Sequence, residues 1–430
     1  MTPGARRKAR ADVLMSIGLV FLALFALSAS TYALARRKAV ASASSQRLNS
    51  LPGFYGGYVA LWTGLPALVL LVVLGVAGDR LPGGDYLPLL ALVVAVAGAL
   101  WAYPKVRPNF QARTRVDGWV RGVLMACSGV AILTTLGIVG SLLYESLRFF
   151  DVVSPFSFLF GTQWSPQIAI RADQAGSSGA FGAVPLFIGT FLIMLIAMCV
   201  AAPVGLFSAI YLSEYAGRTT RAWVKPAIEI LAGVPSVVYG FFAALTVGPA
   251  FRETFNALGA QLVGGPLNGL GVYLSQVQNQ MALVAGFVMG IMLIPFVSSL
   301  SDDIINSVPQ SLRDGSYAMG ATKSETVRKV VLPAALPGVA GALLLGVSAA
   351  IGETMIVTMA AGLQPNLTVN PLDTVTTVTV QIVTLLTGDQ EFDSPKTLAA
   401  FGLGLTLFLV TLILNVIALA VVKRYREQYD

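Results

Sequence analysis

Histidine is absent from all 430 residues, and cysteine occurs only as Cys127 and Cys199, each inside an apolar run. The first absence removes His-dependent triads and histidine metal ligands, and the second leaves no disulfide framework. Charge is also scarce, at 11% of the chain, where a soluble domain carries about 25%. No Gly-x4-Gly-Lys-Ser/Thr segment occurs, so the sequence offers no phosphate-binding loop for a nucleotide, and it implies no cofactor. Apolar residues fill the space, at 56%, which places the chain in a bilayer. The 28 Lys and Arg against 21 Asp and Glu give a net charge of +7. These cations sit in short tracts beside apolar runs, a distribution that fits positive-inside topology and not nucleic-acid binding.

A membrane-spanning helix needs about 20 apolar residues. Runs of that kind lie near 13–35, 57–77, 86–103, 119–144, 181–212, 226–250, 281–300, 335–362 and 398–422. The fold class expected is therefore an all-α polytopic membrane protein with about nine transmembrane helices, since hydrocarbon offers the backbone no other hydrogen-bond partner. Arg313, Lys323, Arg328 and Lys329 mark the 301–334 segment as cytoplasmic, and Lys423, Arg424 and Arg426 do the same for the carboxyl-terminal tail. Counting back places 213–225 and 104–118 inside as well, and leaves 145–180, 251–280 and 363–397 outside. The amino terminus conflicts with this count, because nine spans put Arg6, Arg7, Lys8 and Arg10 outside. Three resolutions stand open: an incomplete first span, dominance of the Arg36-Arg37-Lys38 tract, or a signal peptide ending near Ala33-Leu34-Ala35.

The segment 314–333 is polar and charged between two long apolar runs. Gly315 and Gly320 permit close backbone approach, Arg313, Lys323, Arg328 and Lys329 offer charge to an acidic groove, and Pro333 closes the segment before the next span. The bland alternative is a positive-inside loop with no partner. With Gly320 as anchor, the order is a small-residue cluster, three residues, Gly, nine residues, then Val330-x-Leu332-Pro333. This resembles the EAA loop of bacterial ABC-importer permeases, the cytoplasmic elbow that seats in the ATPase subunit. The coupling residues it implies are Asp314, Gly315, Ser316, Gly320, Glu325, Leu332 and Pro333. The family commonly has Glu-Ala-Ala where this chain has Asp314-Gly315-Ser316.

Further motifs follow in order. They are Phe158 to Pro166, Phe181-Gly182-Ala183-Val184-Pro185, Ala209 to Ala216, Ala232-Gly233-Val234-Pro235-Ser236, and Gly352-Glu353-Thr354-Met355. Together they resemble the PstC-type permease subunit of the phosphate ABC importer, a MetI-like permease fold of the bacterial inner membrane. The resemblance covers 118–430 (about six helices, core 181–430) and leaves 1–117 as an accessory membrane segment of about three helices. It implies a PstA-type partner permease, two cytoplasmic ATPase subunits, a periplasmic phosphate-binding protein and import of inorganic phosphate. The chain itself would then be no enzyme.

Glu353 is the only charged residue between Lys329 and Asp373, and a carboxylate in an apolar run is by default a functional-site candidate. Family members commonly carry an Arg one helical turn earlier, where this chain has Ala349. An ionised Glu353 would repel phosphate, so it is either protonated where it meets substrate or paired with a basic group, such as one from the partner permease. The alternative is a structural role, hydrated at the outer mouth or bonded to a neighbouring helix. Thr354 lies beside it. Gly233, Pro235 and Ser236 either break a helix to line the pathway, exposing N–H groups to an anion, or make a packing kink. Glu214 and Tyr215 read as interfacial anchors, as do Trp62, Trp101, Trp119 and Trp223. Arg171 and Asp173 are loop charges that face either solvent or a binding protein. Two other functions stay open at this point: a permease for another oxyanion or solute, and a non-transporting membrane receptor or scaffold.

Overall fold

The computed structural model describes residues 3–43, 47–77, 87–168, 178–387 and 394–426. Arg171 and Asp173 lie outside the described residues, as do the side chains of Arg6 to Arg10. The chain divides into two compact units, 1–137 and 138–430.

The first unit contains α1 (Pro3–Ala43), α2 (Pro52–Ala77), α3 (Leu87–Ala102) and the start of α4 (Ala112–Val152). A 3-10 turn, Tyr103–Lys105, leads out of α3. The α1–α2 and α3–α4 connections meet at one end of the unit. Asn49 N–H donates to the Pro108 carbonyl at 3.0 Å, and the buried Tyr55 hydroxyl donates to Pro108 and Phe110 at 3.1 and 3.0 Å. The apolar stretch of α4 buries nothing within the chain, so it is left to lipid or to another subunit.

The second unit continues with α5 (Pro155–Phe160) and a hairpin of β1 (Trp164–Ile168) and β2 (Ser178–Phe181), then α6 (Val184–Ile210). Next come α7 (Arg218–Ala232), α8 (Ser236–Phe242), α9 (Gly248–Leu262), α10 (Asn268–Leu274) and α11 (Ala282–Ser307). The chain closes with α12 (Gln310–Ala318), α13 (Lys323–Thr326), α14 (Leu332–Gly352), α15 (Met355–Ala360), α16 (Val378–Leu386) and α17 (Pro395–Arg426). Helices α6 and α11 form the centre, crossing closely because α11 presents small residues. A Cβ on Gly286 would stand 2.6 Å from Ile196, and one on Gly290 would stand 2.7 Å from Val200.

Among the described residues, seven helices are long and apolar enough to cross a membrane, or up to eight if a bent pair counts as one span. The sequence count of nine is thus approximate, for identifiable reasons. Run 86–103 is a short helix, and run 226–250 is broken between α7 and α8 by a bend of 88° at Gly233-Val234-Pro235. Run 335–362 ends early at Gly352. The hairpin is a small departure from an all-α chain. It is pinned by Trp164, whose indole N–H donates to Gln381 Oε1 at 3.0 Å.

The loops group by end as the basic-residue count requires. Tyr273 donates to Asp373 at 3.1 Å, joining 251–280 to 363–397, and the Trp164 contact adds 145–180 to that end. Segments 213–225 and 301–334 meet through ion pairs at the other.

Candidate functional site: a coupling elbow and two adjacent helix breaks

The elbow is a pair of short helices. α12 ends at Ala318, and Gly320 follows at φ +84°, a left-handed conformation that glycine adopts without steric cost. Nothing lies within 4 Å of a Cβ built on Gly320 or Gly315, so both present open backbone. Thr322 then caps α13 in a reciprocal box: its hydroxyl accepts from Glu325 N–H at 3.3 Å, and Thr322 N–H donates to Glu325 Oε2 at 3.0 Å. Those Thr322 bonds, backbone first, and then the Lys329 charge hold the exposed Glu325 carboxyl below the usual glutamate range. Ser316 and Thr326 hydroxyls join α12 to α13 at 2.9 Å, and Asp314 accepts from Gln310 at 3.2 Å within α12.

Two expectations about this segment are corrected. Pro333 does not end it: α13 runs through a π turn, Val327–Val331, directly into α14. The wide turn falls just before Pro333, which lacks an N–H, and Leu332 and Pro333 open the next span. Arg313 is not offered to an outside groove. It is 7% exposed and donates to Glu214 Oε1 at 3.0 Å, to the Ile305 carbonyl at 2.7 Å and to the Val308 carbonyl. Glu214 is therefore the anchor of the elbow and more than an interfacial residue.

A second ionic cluster, unread in the sequence, lies beside it. Asp302 on α11 is 1% exposed and takes both carboxylate oxygens to Arg221, at 3.1 and 2.9 Å. It also accepts from Lys225 at 2.8 Å and from Asn306 at 2.9 Å. Arg221 and Lys225 are four residues apart on α7, so one face of that helix is clamped to α11. α7 leads straight into the 88° bend.

The bend and the end of α14 form two adjacent helix breaks. Pro235 caps α8, with the extended ψ of 138° that a helix start requires, and Tyr239 reaches back to the Leu231 carbonyl at 3.0 Å. Gly233 closes α7 at an ordinary φ of −82°, and Ser236 is the first residue of α8. α8 packs on α15: a Cβ on Gly240 would stand 2.6 Å from Met359 Sδ and 3.3 Å from the Met355 carbonyl. The helices that start at the two breaks, α8 and α15, thus pack on each other through Gly240, Met355 and Met359.

Glu353 is half-buried at the junction, not in mid-helix. One carboxylate oxygen accepts from Met355 and Ile356 N–H at 3.0 and 3.3 Å, and its carbonyl accepts from Thr379 at 3.0 Å. Among the described residues it has no ion pair, and its second oxygen has no bond. Ala349, one turn earlier, is exposed. The Thr354 hydroxyl donates to the Gly352 carbonyl at 3.4 Å.

These features define a polytopic membrane protein with a two-helix elbow at one end of a broken-helix core. Residues 201–427 match the family described as binding-protein-dependent transport system inner membrane component, and the chain belongs to that family. Residues 21–83 match a second family, described as phosphate ATP-binding cassette transporter. The chain is of the PstC type, as its relatives show. It is 32% identical over 316 residues to the phosphate transport system permease protein PstC of Xylella fastidiosa strain Temecula1, covering 71% of this chain and 90% of that one. The Haemophilus influenzae protein of the same name is 31% identical over 301 residues, covering 69% and 88%. A probable ABC transporter permease protein, YqgH of Bacillus subtilis, is 33% identical over 296 residues, covering 68% and 87%. A permease of this family works with ATPase and binding-protein subunits.

Proposed function

We propose that this chain is the permease subunit of an ATP-driven importer that carries inorganic phosphate from the periplasm across the bacterial inner membrane. A PstA-type permease completes the pathway, one of two ATPase subunits docks at residues 310–333, and a periplasmic phosphate-binding protein delivers the anion to the opposite end. The carboxyl terminus lies in the cytoplasm, as its basic tail requires. Residues 118–430 are the permease, and 1–117 an accessory membrane segment.

The observation that carries this reading is the elbow itself. Two short helices joined at a left-handed Gly320 are tied by a buried ion pair to the base of α6, in a chain similar along most of its length to phosphate permeases. Movement at the elbow would pass through Arg313–Glu214 and Asp302–Arg221 to α7, and so to the Gly233–Pro235 bend and to α8, which packs on α15 just past Glu353. At the bend, backbone N–H groups near Ser236 and the Thr354 hydroxyl are suitable donors for an anion. No Lys or Arg lies in α6, α11 or α14, so the partner permease supplies the counter-charge, with Glu353 orienting it.

The test is uptake of labelled phosphate by cells that rely on this chain and its partner subunits, with sulfate, molybdate or organic solutes in large excess. Undiminished phosphate uptake supports the reading. Inhibition by one competitor, together with uptake of that competitor, assigns the machinery to a different cargo. Retention of the chain in the membrane without copurifying ATPase subunits would favour a receptor or scaffold.

A further inference from the structure

The first unit carries a charged platform outside the transport route proposed above. Segments 36–51 and 103–117 contain eight basic residues and one acidic residue, Asp117. Arg36, Arg37, Lys38 and Arg47 come from the α1–α2 connection, and Lys105, Arg107, Arg113 and Arg115 from the α3–α4 connection. Positive-inside topology alone would be satisfied by loose tails. Here the two connections are fixed to each other: Tyr55, 0% exposed, donates to Pro108 and Phe110, Asn49 donates to Pro108, and Arg113 N–H donates to Ser50 at 3.3 Å.

Aromatic residues set the level of the cations. Lys105 Nζ sits 2.8 Å from the centroid of the Trp101 ring, and Lys38 Nζ lies over Tyr103 at 4.5 Å while donating to its carbonyl. Trp101 is half exposed and stacks with Trp62, which also meets Trp119. Amphipathic aromatics of this kind sit at the headgroup level of a bilayer. Only Arg113 is matched by a carboxylate, Asp117 at 3.7 Å, and Arg36, Arg37, Arg47, Arg107 and Arg115 have no acidic partner among the described residues.

We propose that this platform is a binding surface for anionic phospholipid headgroups of the cytoplasmic leaflet. Two lysines held over aromatic rings, beside five arginines with no acidic partner among the described residues, match the phosphates of acidic lipids. An acidic protein or a nucleic acid would need the charge displayed away from the membrane boundary, which the Lys105–Trp101 and Lys38–Tyr103 contacts oppose. The inference concerns residues 1–137 only and holds whatever the transported solute.

The test uses the full-length chain with its partner subunits in nanodiscs. Dibrominated phosphatidylglycerol or dibrominated phosphatidylcholine is titrated, and quenching of tryptophan fluorescence is read. Wild type is expected to prefer the anionic lipid by at least about tenfold, since each cation near an anionic surface is worth about fivefold in binding. Arg36→Gln/Arg37→Gln/Arg107→Gln/Arg115→Gln is expected to bring the preference close to one, and the same four positions changed to Lys to retain it. Retention by the Lys set shows that charge, and not loss of fold, sets the result. Equal quenching by both lipids in wild type, or an unchanged preference in the Gln set, overturns the proposal. Displacement of the anionic lipid by millimolar inorganic phosphate would assign the platform to the free anion, and release of bound lipid by an acidic protein or RNA would assign it to that partner.

Discussion

Arg313 and Glu214 stand 99 positions apart in the chain, yet their side chains meet at 3.0 Å with 9% and 8% of their surfaces exposed. The pair fastens the elbow helix α12 to Glu214 in the π turn Tyr211–Tyr215 that follows α6. Removing one member of such a pair leaves an uncompensated buried charge, at a cost of about 3–5 kcal/mol. Arg313→Met and Glu214→Gln are each expected to lower the melting temperature of the purified complex and to separate ATP hydrolysis from uptake. The double variant should recover part of the lost stability. Single variants that melt and transport like wild type would remove the tie from the coupling route.

Gly320 is required by backbone geometry, since nothing crowds the position itself. A β-carbon at φ +84° costs roughly 1–2 kcal/mol for most residues and less for Asn. Gly320→Asn is therefore expected to keep most uptake, while Gly320→Val and Gly320→Glu leave membrane insertion intact and abolish it. Equal uptake by all three, measured at matched expression, would show that the elbow bears no load.

Asp302 holds Arg221, Lys225 and Asn306 at once. Asp302→Asn leaves Arg221 without a carboxylate, while Lys225 keeps Asp303 at 3.1 Å, and stability should fall by about 3–5 kcal/mol, the range for a broken buried pair. Arg221→Gln leaves Lys225 in place and should cost less. The ordering of the two melting temperatures checks the assignment, and reversal would place the main contact elsewhere.

Glu353 uses one oxygen as a helix cap and leaves the other without a bond. If that oxygen orients a basic group of the partner permease, Glu353→Gln should depress uptake strongly with assembly retained, because the amide can still accept from Met355 and Ile356. Ala349→Arg should be tolerated, its position being exposed. Uptake by Glu353→Gln that equals wild type across the pH range would leave the residue a cap alone.

Much of this architecture was legible because hydrocarbon permits few solutions: long apolar runs must be helices, and basic tracts sort the loops by side. The break at Gly320 was legible from its spacing, and the two short helices it joins are seen in the structure. What escaped depends on partners distant in sequence. Arg313 reads as a free loop cation until Glu214 is placed beside it. Asp302 reads as the start of a loop, although α11 remains helical to Ser307; the one available signal was the i, i+4 spacing of Arg221 and Lys225. Pro235 marked a break but not its 88° angle, because proline kinks helices by any amount that packing allows. The hairpin at Trp164 escaped because polar residues around it read as loop.

The central claim is that ATP hydrolysis in a partner subunit docked at the elbow drives phosphate through this permease. Its most direct test is ATP-dependent accumulation of labelled phosphate in proteoliposomes holding this chain, its partner permease and the ATPase subunits, with binding protein outside. Wild type is expected to accumulate phosphate against a gradient and Gly320→Glu to hydrolyse ATP without doing so. Accumulation of another solute with phosphate excluded, or phosphate accumulation undiminished by Gly320→Glu, would contradict it.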